Sequence, residues 1–242
     1  MCGMEKREMV GHAWQEATCT MPKRCAVCTL TVDSALGHDY QGTRACVRCG
    51  EDNPEYIQQF SFKLNSDSSG YVLLGCGNYK GEEVTIPATF NGKPVMGIYQ
   101  GAFKNMTNVT TVTMGENVQS IGPSVFEGCT NLKTVNMPQT SKLRTIYKRA
   151  FALCKNLEEI TLPDTVTSLG FEVFAECSSL KKVTIGKGVI SIAEDTFRSC
   201  ILLETVEFNG TTQQWSQNFS KRVNFLPYSI KEIQCLDGVL EL

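Results

Sequence analysis

Histidine is nearly missing from this chain: two residues in 242, His12 and His38, both close to the start. Everything beyond residue 38 therefore lacks the side chain best suited to general-base work near neutral pH. A Ser-His-Asp or Cys-His site in that stretch is excluded. No Walker loop, G-x-S-x-G or H-E-x-x-H pattern occurs either, so the familiar phosphate, hydrolase and zincin signatures are absent. Neither sign of charge is in surplus; the formal net charge is -2, which supplies no field to draw nucleic acid or an anionic membrane. No apolar run approaches the roughly 18 residues of a membrane span. The opening residues Met1–Val10 lack the apolar core of a secretory signal.

What is present is repetition. Phe103, Phe126, Phe151, Phe174 and Phe197 recur at steps of 23, 25, 23 and 23 residues. Three residues after four of them stands a cysteine (Cys129, Cys154, Cys177, Cys200), with Met106 in that place in the first. Val109, Leu132, Leu157, Leu180 and Leu203 follow, then Val112, Val135, Ile160, Val183 and Val206. A fixed period near 23 residues predicts a solenoid, in which each unit buries its apolar edge only against its neighbours. Within a repeat, Leu132-x-x-Val135-x-Met137 and Leu157-x-x-Ile160-x-Leu162 alternate apolar and polar, the pattern of a short strand with one buried face. Pro138 and Pro163 end those strands. A second apolar stretch follows, such as Val166–Leu169 or Val189–Ile192, and Gly122 or Gly170 turns the chain into a short helical or irregular segment carrying the Phe. The cysteines of the array read as a buried ladder, since a free thiol packs as a small hydrophobe.

The chain divides into four parts. Residues 1–52 are rich in Cys and His. Residues 53–80 hold a linker (53–59) and a capping hairpin, with Phe60–Leu64 and Tyr71–Leu74 as its arms. Residues 81–208 form the solenoid of about five repeats, and 209–242 drift out of period and close its end. Trp215 reads as a core residue of that cap.

In the first part, Cys25-x2-Cys28 and Cys46-x2-Cys49 give a C-x2-C-x17-C-x2-C spacing, which lies within the zinc-site window. Two such turns can set four thiolates at the corners of a tetrahedron, the closed arrangement of structural zinc. His12, Cys19 and His38 are further ligand types in the same segment, and Gly11-His-Ala-Trp14 echoes Gly37-His-Asp-Tyr40. A mixed set of Cys19, Cys25, Cys28 and His38, leaving His12, Cys46 and Cys49 for a second site, is the alternative; disulfides are a third. A segment this short with few large apolar side chains needs a staple to fold, and structural zinc supplies on the order of 10–16 kcal/mol.

The run Val166–Ile185 closely resembles the BspA-type leucine-rich repeat; Val84–Val95 and Cys235–Leu242 resemble that family's flanks. The third repeat departs from the pattern, with Gln139–Lys142 adding two residues, which are placed in a loop. The first fifty residues are similar to short Cys/His repeats of multidomain surface proteins in Gram-positive bacteria. The resemblance implies an α/β repeat solenoid, a right-handed leucine-rich-repeat array with a parallel β-sheet, beside a small zinc-stabilised module. It also implies adhesive or surface roles, with protein or cell-surface partners.

The expected function is therefore non-enzymatic binding of macromolecules, with structural Zn2+ as the only cofactor and a monomer as the expected state. Alternation along the strands puts Thr111, Thr113, Thr134, Asn136, Glu159, Thr161, Lys182, Thr184, Thr205 and Glu207 on the exposed side of the sheet, and these are the candidate partner-binding residues. An intracellular scaffold is the alternative, to which the missing signal points. Nucleic-acid binding by the zinc segment is the weaker alternative: residues 1–52 carry six Lys/Arg against seven Asp/Glu, whereas a phosphate-binding surface is basic.

Overall fold

The computed structural model describes residues 60–77, 79–219 and 225–242, and the backbone of two short strands nearer the start. The chain divides into two units, Met1–Gln59 and Phe60–Leu242. In the first, β1 (Trp14–Gln15) pairs antiparallel with β2 (Arg24–Cys25). Of the metal-ligand candidates only the backbone of Cys25 falls within this pair; His12, Cys19, Cys28, His38, Cys46 and Cys49 lie outside the described residues.

The second unit opens with the hairpin β3 (Ser61–Leu64) and β4 (Tyr71–Gly75), paired antiparallel across a turn in which the Asn65 side-chain oxygen accepts from the Gly70 amide. Next come β5 (Glu83–Thr85), β6 (Thr89–Phe90) and β7 (Lys93–Ile98). The chain then lays down strands in pairs: β8 (Thr111–Thr113) and β9 (Ser120–Ile121), β10 (Thr134–Asn136) and β11 (Thr145–Ile146), β12 (Glu159–Thr161) and β13 (Ser168–Leu169), β14 (Lys182–Ile185) and β15 (Ser191–Ile192). Finally come β16 (Thr205–Phe208), the helix α1 (Thr212–Phe219), β17 (Glu232–Cys235) and β18 (Gly238–Glu241).

Two strand stacks result. The first strand of each turn joins β10-β8-β5 or β12-β14-β16-β17, all parallel, with β18 closing the latter sheet antiparallel. The second strand joins β15-β13-β11-β9-β7-β4, also parallel, with β3 closing it. Pairing is in phase with the repeat: Thr134 faces Thr111, Thr145 faces Ser120 and Val183 faces Val206. Strands of two to four residues are stable here only because the ladder continues from turn to turn.

Between the sheets runs one core. The five repeat phenylalanines are fully buried and stack ring on ring, with centroids 5.2–5.6 Å apart and planes within 6–13°. Each ladder cysteine is buried, and its thiol donates to the carbonyl of the preceding turn's phenylalanine: Cys129 to Phe103, Cys154 to Phe126, Cys177 to Phe151 and Cys200 to Phe174, at 3.1–3.3 Å. The residue is small enough for the site, and its thiol adds a bond between turns to a carbonyl that also accepts from the amide three residues on, as Phe126 does from Cys129. Phe60, Phe62, Tyr71 and Phe90 cover one end. Trp215, packed on Phe208 and Phe219, covers the other.

The α/β expectation is corrected in one respect. Among the described residues the one helix is the eight-residue α1 in the terminal cap, and the Phe-bearing segments are turns. The reason lies in the backbone. The residues two before and two after each phenylalanine have positive φ: Gly101 and Asn105, Ser124 and Gly128, Arg149 and Leu153, Glu172 and Glu176, Asp195 and Ser199. A left-handed residue at both ends of a five-residue segment forbids a helix. It turns the amides of Phe103, Phe126, Phe151 and Phe174 toward the next turn, where they donate to Val125, Ala150, Val173 and Thr196. Hydrogen bonds that a helix would close internally are spent on stacking. The other difference is the second parallel sheet, where the sequence pattern showed only a second apolar stretch.

Candidate binding face

The outward residues of the first-strand sheets form a column along the stack. Thr111 and Thr113 are half-buried, and Thr134, Asn136, Glu159 and Thr161 are exposed. Lys182, Thr205 and Glu207 are half-buried, and Thr184, at 9%, is buried. So the ten candidate residues do share one side of the strands, but their availability differs. Lys182 Nζ lies 2.7 Å from Glu207 Oε1, and Thr184 Oγ1 donates to Glu207 Oε2 at 3.0 Å. The lysine bond and the threonine bond hold the Glu207 carboxyl below its ordinary range. This end of the column satisfies itself, and the placement of Thr184 in solvent is corrected by its two longer neighbours. Asn136 donates to Thr113 at 3.2 Å, whereas Glu159 and Thr161 have no side-chain hydrogen bond or ion pair among the described residues.

The column is interrupted once. β10 does not pair with β12, so the first-strand sheet is split into a three-stranded and a five-stranded part. At the split lies a recess of about 470 Å³ lined by Lys133–Gln139, Glu159 and Thr161. The interruption is local. In the same turns Phe126 still donates to Ala150 at 2.8 Å, and β9 still pairs with β11. Its cause is the two-residue insertion. Ser141 closes a turn onto Pro138 and is buried, while Lys142 is tied to the turn before it through Glu116 and Asn117. That draws Met137–Lys142 toward the earlier turn and away from β12. The facing edges of β10 and β12 thus carry backbone donors and acceptors without a strand partner, at the most exposed part of the column. Sequence reasoning missed this recess: the 25-residue step between Phe126 and Phe151 was its signal, read only as a longer loop.

On the Phe-bearing turns, charged groups are occupied with one another. An alternating row runs Lys104–Glu127–Arg149–Glu172–Arg198, with Glu127 3.2 Å from Lys104 and 3.0 Å from Arg149, Arg149 bonded to Glu172, and Arg198 2.7 Å from Glu172. Burial pushes the Glu127 carboxyl up, but hydrogen bonds from Ser124, Arg149 and Lys104 outweigh it and bring it to about 2. Burial raises the thiol of Cys76 to about 11 and, within the ladder, that of Cys129 to about 12, with Cys154 and Cys200 also well up. Protonated, buried thiols are neither nucleophiles nor metal ligands. Among the described residues no group of three or more His, Cys, Asp or Glu is placed to hold a metal ion, and no helix is long and apolar enough to cross a membrane.

A coil of stacked turns near 23 residues long, with one buried ring and two short strands per turn held in register, defines a leucine-rich-repeat solenoid. Residues 96–225 match the BspA type leucine rich repeat region in six copies, and the chain belongs to that family. The sixth copy adds one to the five marked by phenylalanine. The fold is similar to that of a T. pallidum leucine rich repeat protein, with 31% identity and a TM-score of 0.59 over 62% of this chain and 69% of that one. It is also similar to a leucine-rich repeat protein from Bacteroides ovatus, with 28% identity and a TM-score of 0.55 over 61% of this chain. The match takes in 39% of the Bacteroides ovatus chain. No curated protein matches the sequence.

Proposed function

We propose that this chain is a non-enzymatic binding protein that presents its first-strand face to a protein or cell-surface macromolecule, with the recess between β10 and β12 at the centre of the contact. The observation that carries the reading is the single break in an otherwise self-satisfied column: exposed Thr134, Asn136, Glu159 and Thr161 gather around unpaired strand edges. Polar edges with open backbone groups are where an extended partner segment gains main-chain hydrogen bonds. Membership of the BspA type family supports an adhesive, surface-directed role. The test is binding of the full chain to a panel of purified extracellular-matrix proteins, with Asn136→Arg and Glu159→Lys combined. Binding lost in the double variant at unchanged melting temperature supports the face; binding indifferent to it sinks the assignment.

The same reading gives the N-terminal segment a structural zinc held by Cys25, Cys28, Cys46 and Cys49. Its support is the donor set: two Cys-x2-Cys pairs supply four soft thiolates, which suit zinc and leave no open position for catalysis. Metal content and free thiols measured together test it. About one zinc per chain fits the four-cysteine site, about two recruits His12, Cys19 and His38, and no zinc with missing thiols replaces the metal by disulfides.

A further inference from the structure

The opposite sheet carries a second surface that the binding face above does not use. Tyr99 and Tyr147 are 59% and 48% exposed, and Phe171 is 46% exposed. The repeat phenylalanines are by contrast fully buried. The ladder places the two tyrosines in one row. Tyr99 donates to Leu73, Gly122 to Ile98, Tyr147 to Ile121 and Gly170 to Ile146, each being the residue that follows a buried position of the second sheet. Along the stack the row reads Tyr99, Gly122, Tyr147, Gly170 and, in the last turn, Ala193, which donates to Leu169. Both glycines are obligatory: a Cβ on Gly122 would meet the Ile98 carbonyl oxygen at 2.6 Å, and one on Gly170 the Lys148 amide at 2.7 Å. Each ring is thus followed by a bare backbone shelf. Turns stack at the strand spacing of about 4.8 Å, which sets the tyrosines about 9.6 Å apart.

Beside this row runs a second, made of hydroxyls. Ser120, Thr145, Ser168 and Ser191 occupy matching register positions on β9, β11, β13 and β15. None is fully buried, and the row contains no charge. At the hairpin end the face deepens into a recess of about 520 Å³ walled by Leu64, Val72, Leu74 and Tyr99, with Lys63, Asn65 and Ser66 at its polar side.

The geometry points to a linear β-1,4-linked glycan, lying along the solenoid axis on this second sheet, as the ligand of the surface. A surface that repeats along one line selects a ligand that repeats along one line. An extended β-linked chain turns each pyranose over relative to the last, so that every second ring presents the same C–H face. Here two tyrosines, Tyr99 and Tyr147, stand two turns apart, so the pair of rings spans one such repeat. The apolar pyranose face packs on the ring as any apolar surface does on an aromatic, while the ring hydroxyls at the sugar's edge meet the Ser/Thr row once per turn. A protein partner would favour a contiguous apolar anchor at the centre of the contact; here the two tyrosines are separated by the Gly122 turn and bordered on the strand side by hydroxyls.

The test uses the full chain with chitohexaose and cellohexaose as probes, and maltohexaose as the α-linked control, read by calorimetry and by perturbation of tyrosine NMR signals. Expected are binding of at least one β-linked hexamer in preference to maltohexaose, and a loss of roughly tenfold in affinity for Tyr147→Ala or Tyr99→Ala. The double variant should abolish binding while the melting temperature and the matrix-protein binding of the first-strand face stay unchanged. Failure of both β-linked hexamers to bind overturns the inference, as does equal binding of maltohexaose or binding indifferent to the tyrosines. Tyrosine-dependent binding of a matrix protein without any glycan binding overturns it too, by making the occupant a protein.

Discussion

Replacing Arg149 by methionine tests the charged row on the Phe-bearing turns. The guanidinium bridges Glu127 on the turn before and Glu172 on the turn after, and those carboxylates are only 11% and 12% exposed. Methionine keeps the stem that covers the turn and removes the charge. The magnitude follows from Glu127. Its carboxyl sits at about 2 against an ordinary 4.5, and a fall of that size amounts to about 3 kcal/mol of preference for the charged form at neutral pH. Arg149 shares it with Ser124 and Lys104, so about 1 kcal/mol goes with the guanidinium there. A second charge-assisted bond, to Glu172, adds about 1–2 kcal/mol. The expected loss is about 2–3 kcal/mol at pH 7. Because Glu127 is depressed, the unfolded chain binds the extra proton between about pH 4.5 and 2, and the stability it contributes is present above that window and lost as pH falls through it. The gap between wild type and Arg149→Met should therefore close toward pH 2. Urea unfolding followed by circular dichroism at pH 7, 4 and 2.5 reads both quantities. Lys104→Met is the control: its side chain is 45% exposed, and such a pair is worth under about 1 kcal/mol. A loss below about 0.5 kcal/mol for Arg149→Met, or a gap that does not narrow in acid, would refute the reasoning.

Four further outcomes are expected. Phe151→Ala, which removes a fully buried ring stacked 5.2 Å and 5.6 Å from its neighbours, should cost about 3–5 kcal/mol, read as a lower denaturation midpoint. Cys129, Cys154 and Cys200 should resist a thiol reagent such as DTNB until the chain unfolds. Since burial raises these thiols, the unfolded chain loses their protons first, and stability should fall as pH rises beyond the ordinary thiol range; alkaline melting curves check this. Cys154→Ala, which removes the thiol's bond to the Phe126 carbonyl while the Cys129 amide still donates to it, should cost about 0.5–1.5 kcal/mol, and serine there should not restore it because the hydroxyl carries its own desolvation cost. Deleting Ser141 and Lys142 should restore the 23-residue step, pair β10 with β12 and close the recess; amide exchange would show new protection in both strands, and binding through the first-strand face should be lost.

How much of this was legible in sequence depends on whether a feature repeats. The period of phenylalanine, cysteine and leucine fixes the solenoid, its buried ladder and the phase of pairing, because each position is written five times and its meaning is the same each time. Single events are harder. Alternation puts Thr184 and Glu207 on the open side of their strands, but it cannot show that a lysine and a threonine of the neighbouring strand will occupy the glutamate, because that depends on side-chain reach across the ladder. The turn conformation is hidden for a related reason. Left-handed residues usually announce themselves as glycine or asparagine, yet Arg149, Leu153, Glu172 and Glu176 stand there instead. Three of those four side chains, Arg149, Glu172 and Glu176, make cross-turn ion pairs, and all four backbones belong to the stacked turns, so the stack holds conformations that a single turn would not adopt. The recess follows the same logic. Two extra residues are harmless in a loop considered alone, but in a stack they must be absorbed by one neighbour or the other. Here the earlier turn takes them, through Glu116 and Asn117, and the opening appears on the far side, between β10 and β12. Where a periodic protein departs from its period is where its surface stops being an average of its repeats, and that is the reason to look for a partner at residues 133–139 rather than evenly along the column.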